Sequence, residues 1–283
     1  MTSRWLVVDR ATQYWVRATG RRIEFADYPW LQGPVGDPDR IGDQWLKRKA
    51  PPLGGEIVEG GGLIQSMASL RGSSFDPACL NPAVIAFYEA TSEWRLDVWS
   101  QWAPVAWVFG WLLTAVFARR LDQLSLPLRP LDPAMGMDSR VLAVVDHAGH
   151  QVGAAWVRTL RSTGETLYSG WYGTTLLPGS DQPSVRVIFP LPNGSAIVFL
   201  RPEVGPNRNL RLISPLGDFG DEGAYLVVAR NDGRGGWARR VPLAEQFDVY
   251  VDDEGVLRTD HVLRLWRMPV IQLHYRLERR PQS

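Results

Sequence analysis

The stretch Val256–Trp266, VLRTDHVLRLW, followed almost at once by Ile271–Glu278, IQLHYRLE, decides how the chain is read. In the first, Leu257, Thr259, His261, Leu263 and Leu265 fall on one side of an extended backbone, and Arg258, Asp260 and Arg264 on the other. Successive side chains of a strand point to opposite faces, so this spacing is a strand signature. In the second, Ile271, Leu273, Tyr275 and Leu277 form the apolar row and Gln272, His274, Arg276 and Glu278 the polar one. Two neighbouring strands, each apolar on one side, predict an antiparallel sheet with one wet face and one buried face. His261 and Tyr275 then point inward and His274 outward.

Working back toward the N-terminus, short apolar or alternating runs are separated by hairpin chemistry at Asp146–Gly149, Ser162–Gly164, Pro178–Pro183, Pro192–Gly194, Gly205–Asn209, Asn231–Gly236 and Asp252–Gly255. Turn residues at this spacing predict a meander of about ten strands, closed or half-closed into a barrel. Pro127, Pro130 and Pro133 enforce an extended connector. It divides the chain into a Trp-rich irregular and helical region, 1–133, and an antiparallel barrel-like or half-barrel region, 134–283. The expected fold class is α+β.

In the first region Asn81 and Pro82 form a helix cap and first-position pair. Val84, Phe87, Tyr88, Thr91, Trp94, Val98 and Trp102 follow at three- and four-residue spacing, and beyond Pro104 come Val105, Val108, Phe109, Leu112 and Val116. This predicts two main helices, near 81–102 and 104–122. A shorter one over Pro38–Ala50 is expected with Asp37 as its cap. The triple glycine Gly60–Gly62 lacks the spacing of a phosphate-binding turn and reads as a plain loop.

Composition narrows the function. The chain carries 31 Lys+Arg against 30 Asp+Glu, a balance that gives no field to gather nucleic acid, and no nucleic-acid partner is expected. One cysteine, Cys79, leaves no intramolecular disulfide and no Cys-rich zinc site. With the apolar patch Trp5–Val8 too short for a leader, this predicts a cytoplasmic protein. An uncharged run from Val98 to Ala118 holds Trp99, Trp102, Trp107 and Trp111. It matches the ~20 residues that a spanning helix needs. Pro104 interrupts it and Ser100 and Gln101 are polar, so a buried element is favoured over membrane contact.

No Gly-x-Ser-x-Gly elbow, His-Glu-x-x-His or calcium-loop motif occurs. His147 and His150 sit in a turn, where a solvated role outweighs a metal site. Asp260 and His261 point to opposite faces and cannot pair with one another. What remains is an apolar interior with a few inward polar groups, the usual form of a small-molecule pocket. His261 and Tyr275 are the candidate catalytic residues. Thr259, Trp171, Tyr172, Trp156, Trp107 and Trp111 are the candidate ligand-binding ones, with no metal and no cofactor. The expected function is to enclose a bulky apolar small molecule between helices and sheet, as a cofactor-independent cyclase or isomerase. The alternatives are a passive carrier with the same pocket, and a peripheral membrane or protein-interaction module using a 104–118 helix. Nothing in the pattern sets the oligomeric state.

Overall fold

The computed structural model describes residues 3–36, 44–49, 55–102, 137–161, 164 and 166–280. Their architecture is a large, mostly antiparallel sheet with few helices, in the open form of the expected α+β meander. Three strands come from the first region: β1 Arg21–Glu24, β2 Glu56–Glu59 and β3 Trp94–Trp102. Then follow β4 Met137–Val145, β5 Gln151–Leu160, β6 Thr166–Thr175, β7 Ser184–Leu191, β8 Gly194–Val204 and β9 Leu210–Ser214. The last five are β10 Gly223–Ala229, β11 Gly235–Val241, β12 Leu243–Val251, β13 Leu257–Leu265 and β14 Met268–Arg279. Of the expected turns, those at Asp146–Gly149, Pro178–Pro183, Gly205–Asn209 and Asp252–Gly255 fall wholly between consecutive strands, those at Pro192–Gly194 and Asn231–Gly236 run into the strand that follows, and Ser162 and Thr163 lie outside the described residues.

The main path runs β2-β4-β5-β6-β7-β8-β9-β12-β13-β14-β3. β8 is the branch point. Its residues Gly194–Phe199 pair with β10, while Arg201–Val204 pair with β9. One sheet therefore continues through β10, β11 and β1, and a second departs through β9, β12, β13, β14 and β3. The two curve around a shared interior. Burial follows function in the sheet: β13 alternates strictly between buried and partly exposed residues, whereas β7 and β8 are buried on both faces.

The double burial of β7 and β8 comes from a second core on the outer face of the first sheet. There Ile188, Ile197 and Phe199 pack with Trp30, Leu31 and Tyr225. Trp45, from the short helix α2 (Gln44–Lys49), donates its Nε1–H to Ser169 Oγ at 2.9 Å and meets Trp171 edge-on at 6.2 Å. The helix expected over Pro38–Ala50 is thus present at Gln44–Lys49; residues 37–43 and 50 lie outside the described set. A helix that the sequence reading did not anticipate, α1 (Ser3–Thr19), lies on β10 and β11, with Val16 fully buried and Arg17 over the Trp237 ring at 5.5 Å.

The helix expected over 81–102 is corrected. Asn81 does cap it, its Oδ1 accepting from the Ala83 N–H at 3.0 Å, but α3 ends at Glu89 and Trp94–Trp102 is strand β3. Residues four apart share a face in a helix and in a strand alike, so Trp94, Val98 and Trp102 satisfied both periods. The ladder decides: β3 pairs with β14 over nine positions, Trp94 opposite Arg279 through Trp102 opposite Ile271. The region expected as a second helix, 104–122, lies outside the described residues. Gly62 has a specific role: a Cβ there would lie 2.2 Å from the Tyr88 carbonyl oxygen, so only glycine lets this loop lean on the end of α3.

Gly194, at the start of β8, faces β10 closely enough that an added Cβ would lie 2.0 Å from the Val227 carbonyl oxygen. Gly194→Ala is expected to force the branch strand away from β10 and to destabilise the protein by about 1–3 kcal/mol, the usual cost of overpacking. A urea denaturation midpoint equal to wild type would contradict it.

Candidate functional site

The inner faces of the two sheets enclose a cavity of about 140 Å³. Its walls are aliphatic and aromatic, the aliphatic part including Val185 and Val187 from β7, Val198 and Leu200 from β8, Leu212 from β9, and Leu273 and Leu277 from β14. Phe87 and Tyr88 of α3, with Leu63, lie across it. Helix α3, Pro82–Glu89, thus lies over the cavity like a plug, held by Thr91. Its Oγ1 donates to the Phe87 carbonyl at 2.7 Å and accepts from the Leu63 N–H at 3.3 Å.

Against these walls stands a compact polar group. His261, on β13, lies directly opposite Phe247 of β12, whose ring stacks on the imidazole at 3.8 Å between centroids and 15° between planes. The neighbouring inward residue of β12 is Glu245, whose Oε2 is 3.2 Å from His261 Nε2. Both side chains are nearly buried, at 12% and 11% exposure. Such a pair, screened from water, is a proton donor and acceptor in contact.

Arg158 enters from β5 on the same side as Ala154 and Trp156. Its guanidinium carbon lies 3.9 Å from the Trp156 ring centroid, 5.1 Å from that of Tyr168 and 5.6 Å from that of Tyr275. The cation sits among these three rings, a favourable contact in itself, and also hydrogen-bonds the Tyr275 side chain. Its Nε is buried and has no hydrogen-bond partner among the described residues. Trp156 is fixed in turn by an Nε1–H bond to Ser139 Oγ at 2.7 Å. Tyr168 and Tyr172, four residues apart on β6, place their hydroxyls in contact with each other. Burial pushes the phenols of Tyr88, Tyr168, Tyr172 and Tyr275 up, although for Tyr168, Tyr172 and Tyr275 the Arg158 charge opposes the rise. All four are neutral hydroxyls near neutral pH.

Of the residues singled out in the sequence, His261, Tyr275, Thr259, Tyr172 and Trp156 meet in this cavity. Trp171 does not. It is 2% exposed and belongs to the outer core beside Trp45, because its odd place in the β6 alternation sends it to the opposite face from Tyr168 and Tyr172. Trp107 and Trp111 lie outside the described residues. His150 is a turn residue beside Asp146, whose Oδ1 accepts from the Ala148 and His150 backbone N–H groups. On the outer face, Asp260 pairs with His274 at 2.6 Å, well separated from His261 by the sheet itself.

Two charged-type cavity side chains were missed in the sequence reading: Glu245 and Arg158. The signal for the first was present. Leu243, Glu245, Phe247, Val249 and Val251 form the inward row of β12, and one carboxylate in an otherwise apolar row is costly unless it has a purpose or a partner. Arg158, in register with Ala154 and Trp156, carried the same signal on β5.

A curated relative is the uncharacterized membrane protein YndJ of Bacillus subtilis (strain 168), 29% identical over 221 residues. The match covers 76% of this chain and 37% of the relative, so the chain spans little more than a third of that protein's length. No family model and no solved structure matches the chain. Among the described residues, no helix is long and apolar enough to cross a membrane.

The buried phenols give a pH signature. A phenol in the unfolded chain ionises near pH ~10, while these four remain protonated above it in the folded protein. Their contribution to stability is complete below pH ~10 and is lost as the pH rises toward the elevated folded values. An ultraviolet absorbance titration is expected to show these tyrosines ionising only together with alkaline unfolding; smooth ionisation of all eight tyrosines near pH ~10 with the fold intact would contradict their burial.

Proposed function

We propose that the protein encloses a small apolar molecule inside its barrel-like sheet. The observation that carries this reading is the cavity itself: an apolar chamber of about 140 Å³ with its polar groups gathered at one place instead of scattered through the walls. Mostly apolar walls with a few convergent donors and acceptors are the general form of a ligand site. The volume is close to that of an engineered apolar cavity of ~150 Å³ that takes up benzene. It favours a slim ligand, a single ring or a stretch of alkyl chain, over a bulky polycyclic one.

The Glu245–His261 pair favours a catalytic version over a passive carrier. With Glu245 as its partner, the imidazole can take a proton from one carbon of a bound molecule and return it to another, an isomerisation that needs no cofactor and no co-reactant. Tyr275, within the same chamber, supplies a neutral O–H to stabilise charge that develops on the ligand. A cyclisation begun by protonation uses the same groups, with the faces of Trp156 and Phe247 beside the cationic centre. In this reading the protein works in the cytoplasm, and the name of the Bacillus subtilis relative points to the bilayer as a source of its apolar ligand.

The first test is native mass spectrometry and solvent extraction of the purified chain, with n-alkanols of graded length added as probes. Wild type is expected to hold one equivalent of a medium-chain probe, and Leu200→Trp, which fills the chamber from β8, to hold none while keeping a wild-type circular dichroism spectrum. Equal binding by wild type and Leu200→Trp would place the probe elsewhere and sink the reading. For the catalytic version, His261→Ala is expected to retain the probe and to lose turnover of any extracted substrate by ~10²-fold or more.

A further inference from the structure

Resting on the reading of the cavity as a ligand site, we infer that its ligand is an acyl-chain carboxylate, anchored by Arg158. Among the described residues lining the cavity, Arg158 has no ion pair, while Glu245 and His261 are in contact with one another. Arg158 is partly exposed, but its Nε is buried without a partner, and a buried donor left unsatisfied is costly. An incoming anion removes that cost.

The geometry also says what kind of anion. A guanidinium can be met on its face or along its edge, where its N–H groups lie in plane. Here the rings of Trp156, Tyr168 and Tyr275 crowd the cation and one hydrogen bond goes to the Tyr275 hydroxyl, while the buried Nε has no partner among the described residues and is free for an anion. A planar carboxylate matches that edge through two parallel N–H···O bonds. The Tyr168–Tyr172 hydroxyl pair, one of whose two O–H groups donates to the other, and the Tyr275 hydroxyl line the same cavity. A phosphate dianion fits worse, because a single cation faces it and the Glu245 carboxylate lies within electrostatic reach, as its effect on both Tyr168 and Tyr275 shows. Away from this pole the lining is Val187, Val198, Leu200, Leu212 and Leu273, which offers an alkyl chain contact and nothing to bind a second polar group.

The experiment compares an n-alkanoate, the n-alkanol and the n-alkylamine of one chain length by isothermal titration calorimetry, on wild type, Arg158→Gln and Arg158→Lys. Wild type is expected to prefer the alkanoate over the alkanol by ~10- to 100-fold, the worth of a charge-assisted hydrogen bond, and to bind the amine least. Arg158→Gln is expected to lose that preference while still binding the alkanol as wild type does. Arg158→Lys keeps the charge but not the in-plane fork and should fall between. Equal affinity of wild type for alkanoate and alkanol, or an undiminished preference in Arg158→Gln, overturns the carboxylate while leaving the apolar site standing. Failure of wild type to bind any of the three overturns both. Should Arg158→Gln fail to fold, the wild-type series and Arg158→Lys decide the matter by themselves.

Discussion

One edge of β8 carries two ladders. Its first six residues are bonded to β10 and its last four to β9, so that a single strand belongs to two sheets. Backbone N–H and C=O groups demand partners wherever they are buried, and a strand whose two halves have different neighbours forces those neighbours to diverge. The cavity exists because of that divergence. Gly194 allows β10 to come close at one end, and at the other Pro202, which has no N–H to give, sits opposite Leu212 where the second sheet departs. The N-terminal region then serves the sheet twice over: its first hundred residues supply strands to three places, and α3 blocks the interior they help to form.

A hollow interior has an energetic consequence. Side chains lining a void lose the contacts that a packed core would give them. A chain that keeps about 140 Å³ open, while packing a dense second core of Trp30, Phe199, Tyr225 and Trp171 on the far side of the same strands, is not short of large side chains to fill it. The difference between the two faces of β7 and β8 is therefore an argument about function. Among the described residues one face is densely packed and the other borders the cavity, which is the difference on which the proposed ligand site rests.

The polar groups of the chamber obey the rule that buried charge must be answered. Glu245 is answered by His261, which is itself covered by Phe247, and the tyrosine hydroxyls of β6 answer each other. Arg158 is answered by aromatic rings and the Tyr275 hydroxyl and, among the described residues, by no carboxylate, and that distinguishes it from the arginines paired with acids. Arg230, by comparison, is gripped along its edge by Glu24 and Asp232, and Arg258 by Asp252 and Glu254.

Much of this was written in the local sequence. The turn residues marked the hairpins from β4 to β9, β10–β11 and β12–β13 but not β13–β14, and alternation in β13 and β14 set His261, Thr259 and Tyr275 inward and His274 outward, because a strand leaves a side chain only two directions. The same alternation held the means to separate Tyr172 from Trp171 and to find Glu245, which stands out in an apolar row. Local pattern failed where two structures share a spacing: Trp94, Val98 and Trp102 fit a helix as well as a strand, and only the long ladder from β14, contributed by residues some 170 positions away, selects the strand. Pattern likewise could not tell that Trp171 faces a second core, since both faces of β6 are apolar. Which strands meet across an interior, and so whether Glu245 finds His261 and Arg158 finds three aromatic rings, is a matter of strand order and curvature. Those are properties of the whole sheet, fixed by long-range pairing, and no window of the sequence contains them.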